Sequence, residues 1–417
     1  MKHIIKYMLT GLLLLPLAAA AQDTLLIRLD EVLVKIDQQN VLLDAYELKA
    51  KSYAYRAEAA GGWMAPMVGA GTFMAPYPGQ SPMEDDKGSL MFQVEQQLPN
   101  FSKQKAMKTA IRSRAAGEEA NRVVALNELK AQAKLIYFNW LIALERMELL
   151  SENKGLVSTM KEMEEIRYKY NMSQLGNIFN AEAKIEEIAN NILIQKGIIE
   201  QSRAWLTALM NETPGAEWTI DTAWDPDFEP EVSLDTARLA QKRGDIGRLE
   251  SEIQSMTYDR EAVRQDRRPG ISLRLDHMSP LGNGMMPNSY SLMGMISIPI
   301  APWSSKTYQN EVKAMDLEIS AMQKEREGML LETQGRLYGM QAQLNKMKER
   351  LSNMEDKIIP SLKRAMDANF QAYQENKLQL PVVIENWEAW NMMQNNLLDV
   401  KMEFYQLIVD YEKELYR

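Results

Sequence analysis

Between Pro99 and Pro214 the sequence carries no proline, and apolar residues inside that interval fall at Leu129, Ala133, Ile136, Trp140, Ala143, Met147 and Leu150. The steps alternate between four and three, which is the a/d seam of a left-handed coiled coil. A helix of about 70 residues, rising ~1.5 Å per residue, is ~100 Å long. No compact globular domain needs such a rod. The same alternation returns at Leu337, Met340, Leu344, Met347, Leu351, Met354 and Ile358. These stripes read as packing core rather than as a cofactor box, and the fold class they predict is mainly α.

The two seams belong to two halves built on one plan. In the first, DEVLVKIDQQNVLLDAYELKAKSYAYRAEAAGGW reads as one helix, followed by strand-like MVGAGTFM, a polar loop and GSLMFQVEQQLP. A long helix is expected from Ser102 to about Tyr170, then the break NMSQLGN and a helix from Ile178 to about Met210. In the second, SLDTARLAQKRGDIGRLESEIQSMTYDREAV is the first helix, ISLRLDHM and YSLMGMISIP are strands, and a long helix runs from Ser304 to about Ala372. The break YQENKLQLP and a final helix to Arg417 complete it. The predicted division is 1–21 leader, 22–213 first repeat, 214–233 linker rich in Pro, Asp and Trp, and 234–417 second repeat. Matching breaks pair Tyr168 and Asn171 with Tyr373 and Asn376, and Asn tolerates the left-handed conformation that a helix-ending turn needs.

The opening MKHIIKYMLTGLLLLPLAAAAQ has a basic start, a short apolar core and small residues before Gln22. It reads as a secretory leader cleaved near Ala21 and too short to span a membrane, so the rest is expected to be exported. The chain has no cysteine and two histidines, of which His3 leaves with the leader. Disulfide frameworks, zinc fingers and Cys–His catalysis are excluded. A Ser–His–Asp arrangement would have to use His277, which has no nucleophile elbow near it. The reading is a non-enzyme without cofactors. The formal net charge of −9 becomes −11 once Lys2 and Lys6 are removed. An acidic chain without a basic patch is a poor partner for nucleic acid.

The strand-like runs alternate. Leu90, Phe92, Val94 and Leu98 oppose Met91, Gln93, Glu95 and Gln97, while Ile271, Leu273 and Leu275 oppose Ser272, Arg274 and Asp276. Runs of about ten residues with one apolar face suit an outer-membrane strand whose polar side lines a wet lumen, although a half-buried soluble sheet alternates in the same way. Gln93, Glu95, Arg274 and Asp276 are then the lumen-facing candidates. Four strands cannot close, and in lipid an open edge leaves backbone groups unpaired. An oligomer is implied, and three copies would supply twelve strands.

With the leader, the tandem repeat, two strands per repeat, the strand–Pro–helix junctions QQLPNFSKQK and ISIPIAPWSSK, and the paired break motifs, the chain resembles the TolC-like outer-membrane efflux proteins. The resemblance covers nearly the whole mature chain. It implies a homotrimer in outer-membrane lipid, with a twelve-stranded β-barrel continuous with a twelve-helix periplasmic α-barrel built of long antiparallel coiled-coil hairpins. The tips would dock on a periplasmic adaptor protein that links the channel to an RND-type or ABC-type inner-membrane pump of a Gram-negative bacterium. The channel would be an exit duct in efflux or type I secretion, opening when its inner helix pairs untwist.

The family's first tip motif, Arg-aromatic-x-x-Gly, falls on Arg167, Tyr168 and Asn171, and its second, Tyr-x-x-Gly, on Tyr373 and Asn376, each with Asn in place of Gly. Leu175, Asn177 and Lys377 complete the candidate adaptor contacts. Leu378 stands at the family's basic gating position, and Val382 and Glu385 at its acidic ones. An apolar gate of Leu378, Leu380 and Val382 with an acidic ring of Glu385 is therefore expected in place of an ion-pair latch. The alternative for the three apolar residues is ordinary coiled-coil packing. Met285, Met286 and His277 are candidate soft-metal ligands, since thioethers suit Cu(I) and Ag(I), but Met is common throughout as a seam filler and no resident metal site is assigned. Heavy-metal efflux stays open as a cargo. From other classes, the alternatives are a periplasmic coiled-coil adaptor and a structural envelope protein. The sequence names neither the cargo nor the pump.

Overall fold

The computed structural model describes residues 25–80, 83, 87–215, 217–222, 228, 230–231, 234–282, 287–299 and 301–417. The leader, Met285 and Met286 lie outside the described residues. The elements are β1 (Leu25–Ile27), α1 (Leu29–Gln39), α2 (Val41–Ala59), β2 (Met67–Phe73), β3 (Ser89–Leu98), α3 (Phe101–Lys169), α4 (Leu175–Leu209) and β4 (Trp218–Ile220). They continue with α5 (Thr236–Lys242), α6 (Gly244–Arg264), β5 (Gly270–Pro280), β6 (Ser289–Ser297), α7 (Pro302–Asn353), α8 (Ile359–Gln374) and α9 (Leu380–Leu415). Two helices, two strands and a long helical hairpin thus occur twice, with β1 and β4 added in the first half and the first arm of the second hairpin divided into α7 and α8.

The seams pack as the heptad rule requires. Leu129, Ala133, Trp140, Ala143, Leu150, Leu337, Leu344, Leu351 and Met354 are buried, and Ile136, Met147, Met340 and Met347 pack partly buried beside them. Ile358 departs from the pattern and is 40% exposed. Met354–Ile358 forms a π-turn just ahead of Pro360. Proline has no N–H for the helical ladder, and the wider turn absorbs it while shifting the phase of everything after it. The rod expected from Ser304 to Ala372 is therefore two helices. One core surrounds Trp140, Tyr137 and Phe404, and a second surrounds Met160, Tyr373 and Trp387 nearer the hairpin ends.

Both helices expected at the start of the repeats are broken once. At Asn40 the backbone is extended, the side chain caps α2 by accepting from the Leu42 N–H (3.0 Å), and Nδ2 donates to the Leu209 carbonyl at the end of α4 (2.9 Å). At Arg243 the backbone is again extended. Its guanidinium donates to both Asp245 carboxylate oxygens (3.0 and 2.6 Å), to Glu414 Oε2 (2.6 Å) and to the Glu414 carbonyl near the end of α9 (3.0 Å). Each repeat is closed by the same device, a joint residue that captures the last helix's carbonyls, which otherwise lack partners. Burial works against the Asp245 charge, but the hydrogen bonds and charge of Arg243 outweigh it and hold the carboxyl below its ordinary range. Gly244 beside the joint lets α6 lie close on α3, because a Cβ there would come within 2.9 Å of Val123 Cγ1.

The larger sheet has the order β2-β3-β5-β6, antiparallel throughout, and the β3–β5 pair joins the two repeats. The strands β2 and β6 each have one unpaired edge. A separate parallel pair, β1 with β4, ties the N-terminal strand to the segment after α4. Among the described residues no helix is long and apolar enough to cross a membrane.

Arg243→Ala would leave Asp245 and Glu414 charged and partly buried. Breaking a buried pair from one side costs about 3–5 kcal/mol, and the expected result is a clearly lowered unfolding midpoint in detergent. An unchanged midpoint would show that the joint is not what holds α5, α6 and α9 together.

Candidate functional site

The hairpin α3–α4 turns at residues 170–174 and the hairpin α8–α9 at residues 375–379. Both helices arriving at a turn end alike. The Asn171 N–H donates to the Tyr168 carbonyl (3.0 Å) and the Met172 N–H to the Arg167 carbonyl (2.9 Å). The Asn376 N–H donates to the Tyr373 carbonyl (3.0 Å) and the Lys377 N–H to the Ala372 carbonyl (2.9 Å). With φ of +56° and +60° at Asn171 and Asn376, these are two Schellman ends.

Between the turns lies a carboxylate that sequence reasoning missed. Glu164 on α3 is 1% exposed. It accepts from the Tyr373 hydroxyl of α8 (2.6 Å), from the Ser173 hydroxyl in the turn and from Asn177 Nδ2 of α4 (3.3 Å). The Arg167 guanidinium stands 3.7 Å from it, donates to the Tyr373 carbonyl and lies over the Tyr373 ring, 3.8 Å from its centroid. A buried charge persists only when paired and hydrogen-bonded, and this one is held by four side chains from α3, the turn, α4 and α8. Burial, then the hydrogen bond and charge of Glu164, push the Tyr373 phenol above its ordinary range, against the opposing effect of Arg167. A signal for Glu164 did exist. Continuing the α3 seam gives Val157, Met160, Glu164 and Arg167, and a polar residue in a seam fixes register. Asn153 is the same kind of residue, accepting from Trp387 Nε1 (2.7 Å) and donating to Asn391 Oδ1 (3.2 Å).

The structure therefore sorts the candidates. Arg167, Asn177 and Tyr373 turn into the cluster, and Tyr373, at 0% exposure, offers a partner no surface. Tyr168, Asn171, Leu175, Asn376 and Lys377 are exposed. Among the gate candidates, Leu380 is 1% exposed and Leu378 is half-buried, both packed on the core that holds Tyr373. These two side chains pack between helices of the same chain, which is the packing alternative that the sequence left open for them. Val382 and Glu385 stay exposed on α9. A cleft of about 630 Å³ runs between the turns, bordered by Glu164, Arg167, Asn171, Gln174, Leu378 and Pro381.

In the sheet, Gln93 faces Asp276 and Glu95 faces Arg274 across the β3–β5 pair, and Arg274 Nε donates to Asp276 Oδ1 (2.8 Å). All four lie on one face. His277, opposite Phe92 and Tyr290, lies on the other face with the exposed Leu273 and Leu275. This separates it from the polar set.

No family model matches the sequence, and no curated protein matches it. The fold does have solved counterparts. CusC, whose structures follow its folding and transmembrane channel formation, superposes with a TM-score of 0.74 at 15% identity, covering 94% of this chain and 93% of its own. The outer-membrane channel OprN gives 0.71 at 16%, covering 93% and 89%. The Campylobacter jejuni CmeC outer membrane channel gives 0.68 at 16%, covering 93% and 85%. The chain has the TolC-like fold of these channels.

Tyr373→Phe removes a donor from a buried carboxylate, at a cost of about 1–3 kcal/mol, so a lower unfolding midpoint is expected. The raised phenol gives the pH dependence. Its stabilising contribution is complete below the ordinary phenol value of 10.0 and is lost as pH rises through the elevated folded value. Tyr137, held up to about 12 chiefly by burial, behaves alike. In an ultraviolet titration, the difference between wild type and Tyr373→Phe should show one late-ionising tyrosine. A difference at the ordinary value would contradict the cluster.

Proposed function

We propose that this chain, built on the fold of the outer-membrane channels, is the trimeric exit duct of a tripartite efflux or secretion system in a Gram-negative outer membrane. The observation that carries the reading is the sheet. It has two unpaired edges, and Leu90, Phe92, Val94, Ile271, Leu273 and Leu275 are exposed on one face. In lipid such a face is at home, while open edges cost several kcal/mol per unsatisfied group. Pairing β6 of one protomer with β2 of the next closes twelve strands over three copies and removes every edge. The helical hairpins of the two repeats, 22–213 and 234–417, then form a tunnel of twelve helices below the barrel.

The exposed tip residues Tyr168, Asn171, Leu175, Asn376 and Lys377 form the surface on which a periplasmic adaptor docks, and through the adaptor an inner-membrane pump of RND or ABC type supplies the cargo. Gln93, Glu95, Arg274 and Asp276 face the lumen. The Glu164 cluster ties the two hairpins of one protomer together. Val382 and Glu385 are left to line the aperture.

Two outcomes test this reading. An edge-strand proline is tolerated where its missing N–H would face solvent, and in an antiparallel strand successive N–H groups point to opposite sides. With a free edge, one of Ala70→Pro and Gly71→Pro should be harmless. With a closed barrel, both should abolish the heat-modifiable oligomer on gels, and survival of that oligomer in either variant would contradict closure. A ring of three Glu385 carboxylates in a narrow pore attracts cations. Bilayer recordings should show cation preference, reduced in Glu385→Gln, and equal permeability in wild type would remove Glu385 from the aperture.

A further inference from the structure

The strands segregate their apolar residues by chemistry. Met67, Met91, Met278, Met293 and Met295 are the methionines of the four-stranded sheet, and the register places all five on the face of Gln93, Glu95, Arg274 and Asp276. The opposite face takes Leu, Ile, Val and Phe and no Met. Lipid accepts Met as readily as Leu, so hydrophobicity does not explain the division. From Ser89 to Val94 in β3 and from Ile271 to His277 in β5 the polar-face residues are half-buried or buried while their apolar-face neighbours are exposed. A sheet curled toward its polar side crowds side chains in this way, so the thioethers sit on the concave side.

The rows are specific. Met91 and Met278 are direct cross-strand partners, in the row Gly71–Met91–Met278–Ser289. Directly opposed residues hold their Cβ atoms about 5 Å apart, within reach of two thioethers on one ion. The row ends are small, and a Cβ on Gly71 would meet nothing within 4 Å, which leaves room beside the pair. Two rows away, Met67–Glu95–Arg274–Met293 crosses the same face, and Ser272 faces Met295. Glu95, Arg274 and Asp276 sum to one negative charge per chain, which favours cations over anions on this surface.

We propose that this face is a methionine-lined binding surface for soft monovalent metal cations, Ag(I) or Cu(I), centred on the Met91–Met278 pair. Thioether sulfur is the protein ligand matched to such ions. Repeated around the barrel, the pair gives three equivalent sites ringing the lumen, with Met67, Met293 and Met295 as the next donors along the strands. The inference rests on the polar face being the lumen.

The test uses the full chain in detergent with its methionine methyl groups isotopically labelled, in nitrate buffer, and silver(I) as the probe. The Met91 and Met278 methyl signals, identified from Met91→Leu and Met278→Leu, should shift saturably before those of the seam residues Met340, Met347 and Met354. The double leucine variant keeps the apolar volume. It should bind silver(I) more weakly by at least the ~10-fold that loss of even an outer-shell partner costs at a metal site. A water-soluble paramagnetic agent should broaden the same two signals. Broadening by that agent without a silver shift overturns the metal site and leaves the channel standing. Broadening only by a lipid-soluble agent overturns both.

Discussion

A hydrogen-bonding sheet edge cannot be left open in hydrocarbon. In this chain β2 and β6 each present one, and the sheet between them is apolar on a single face. Backbone groups without partners cost several kcal/mol each in lipid, and the proposed closure by copies of the same chain would give both edges a partner. Much else follows from that requirement. A barrel shared among protomers needs each protomer's sheet held in fixed register to its helices. The β3–β5 pair does this by joining the two repeats in the sheet, and the close approach of α6 to α3 at Gly244 repeats the join in the helices.

At the far end of the rods the problem is different. Two hairpin turns must stay aligned after α3 has run 69 residues from the sheet. Apolar packing alone allows slippage along a seam, whereas a buried charge with directional partners does not. Glu164, Tyr373, Arg167, Ser173 and Asn177 supply those directions. Asn153 with Trp387 and Asn391 does the same farther up. The Asn40 and Arg243 joints close the middle of the molecule on the carbonyls of Leu209 and Glu414. Polar groups thus set register at three levels while leucine and methionine seams supply the bulk of the burial.

The parts legible in the sequence were those governed by period. The 3-4 alternation located α3 and α7, period-2 alternation located the strands and their faces, and the Tyr-x-x-Asn motifs located both left-handed turns. What the sequence hid was governed by tertiary capture. Asn40 and Arg243 each lie inside a run that reads as one helix, and the structure shows both breaks bonded to distant carbonyls, those of Leu209 and Glu414. Pro360 is visible in the sequence, but whether the chain meets it with a kink, a break or the observed π-turn, which moves Ile358 out of the seam, is not. Glu164 carries only the seam-position signal in the sequence, and its four partners come together only in the fold. Leu380 read as a gate candidate from its place beside the family's gating positions, and its burial in the second core is visible only in the fold. The polar quartet of the sheet was legible by alternation, yet the confinement of five methionines to the same face needed the cross-strand register.

The central claim is that the unpaired edges are closed by further copies of this chain in a membrane. The most direct measurement is the mass of the detergent-extracted particle, taken together with its single-channel conductance in a bilayer. The account predicts a particle of three chains that resists dissociation until heated and forms discrete conducting channels. A detergent-independent monomer with no conductance would contradict it and leave a periplasmic coiled-coil scaffold as the better description.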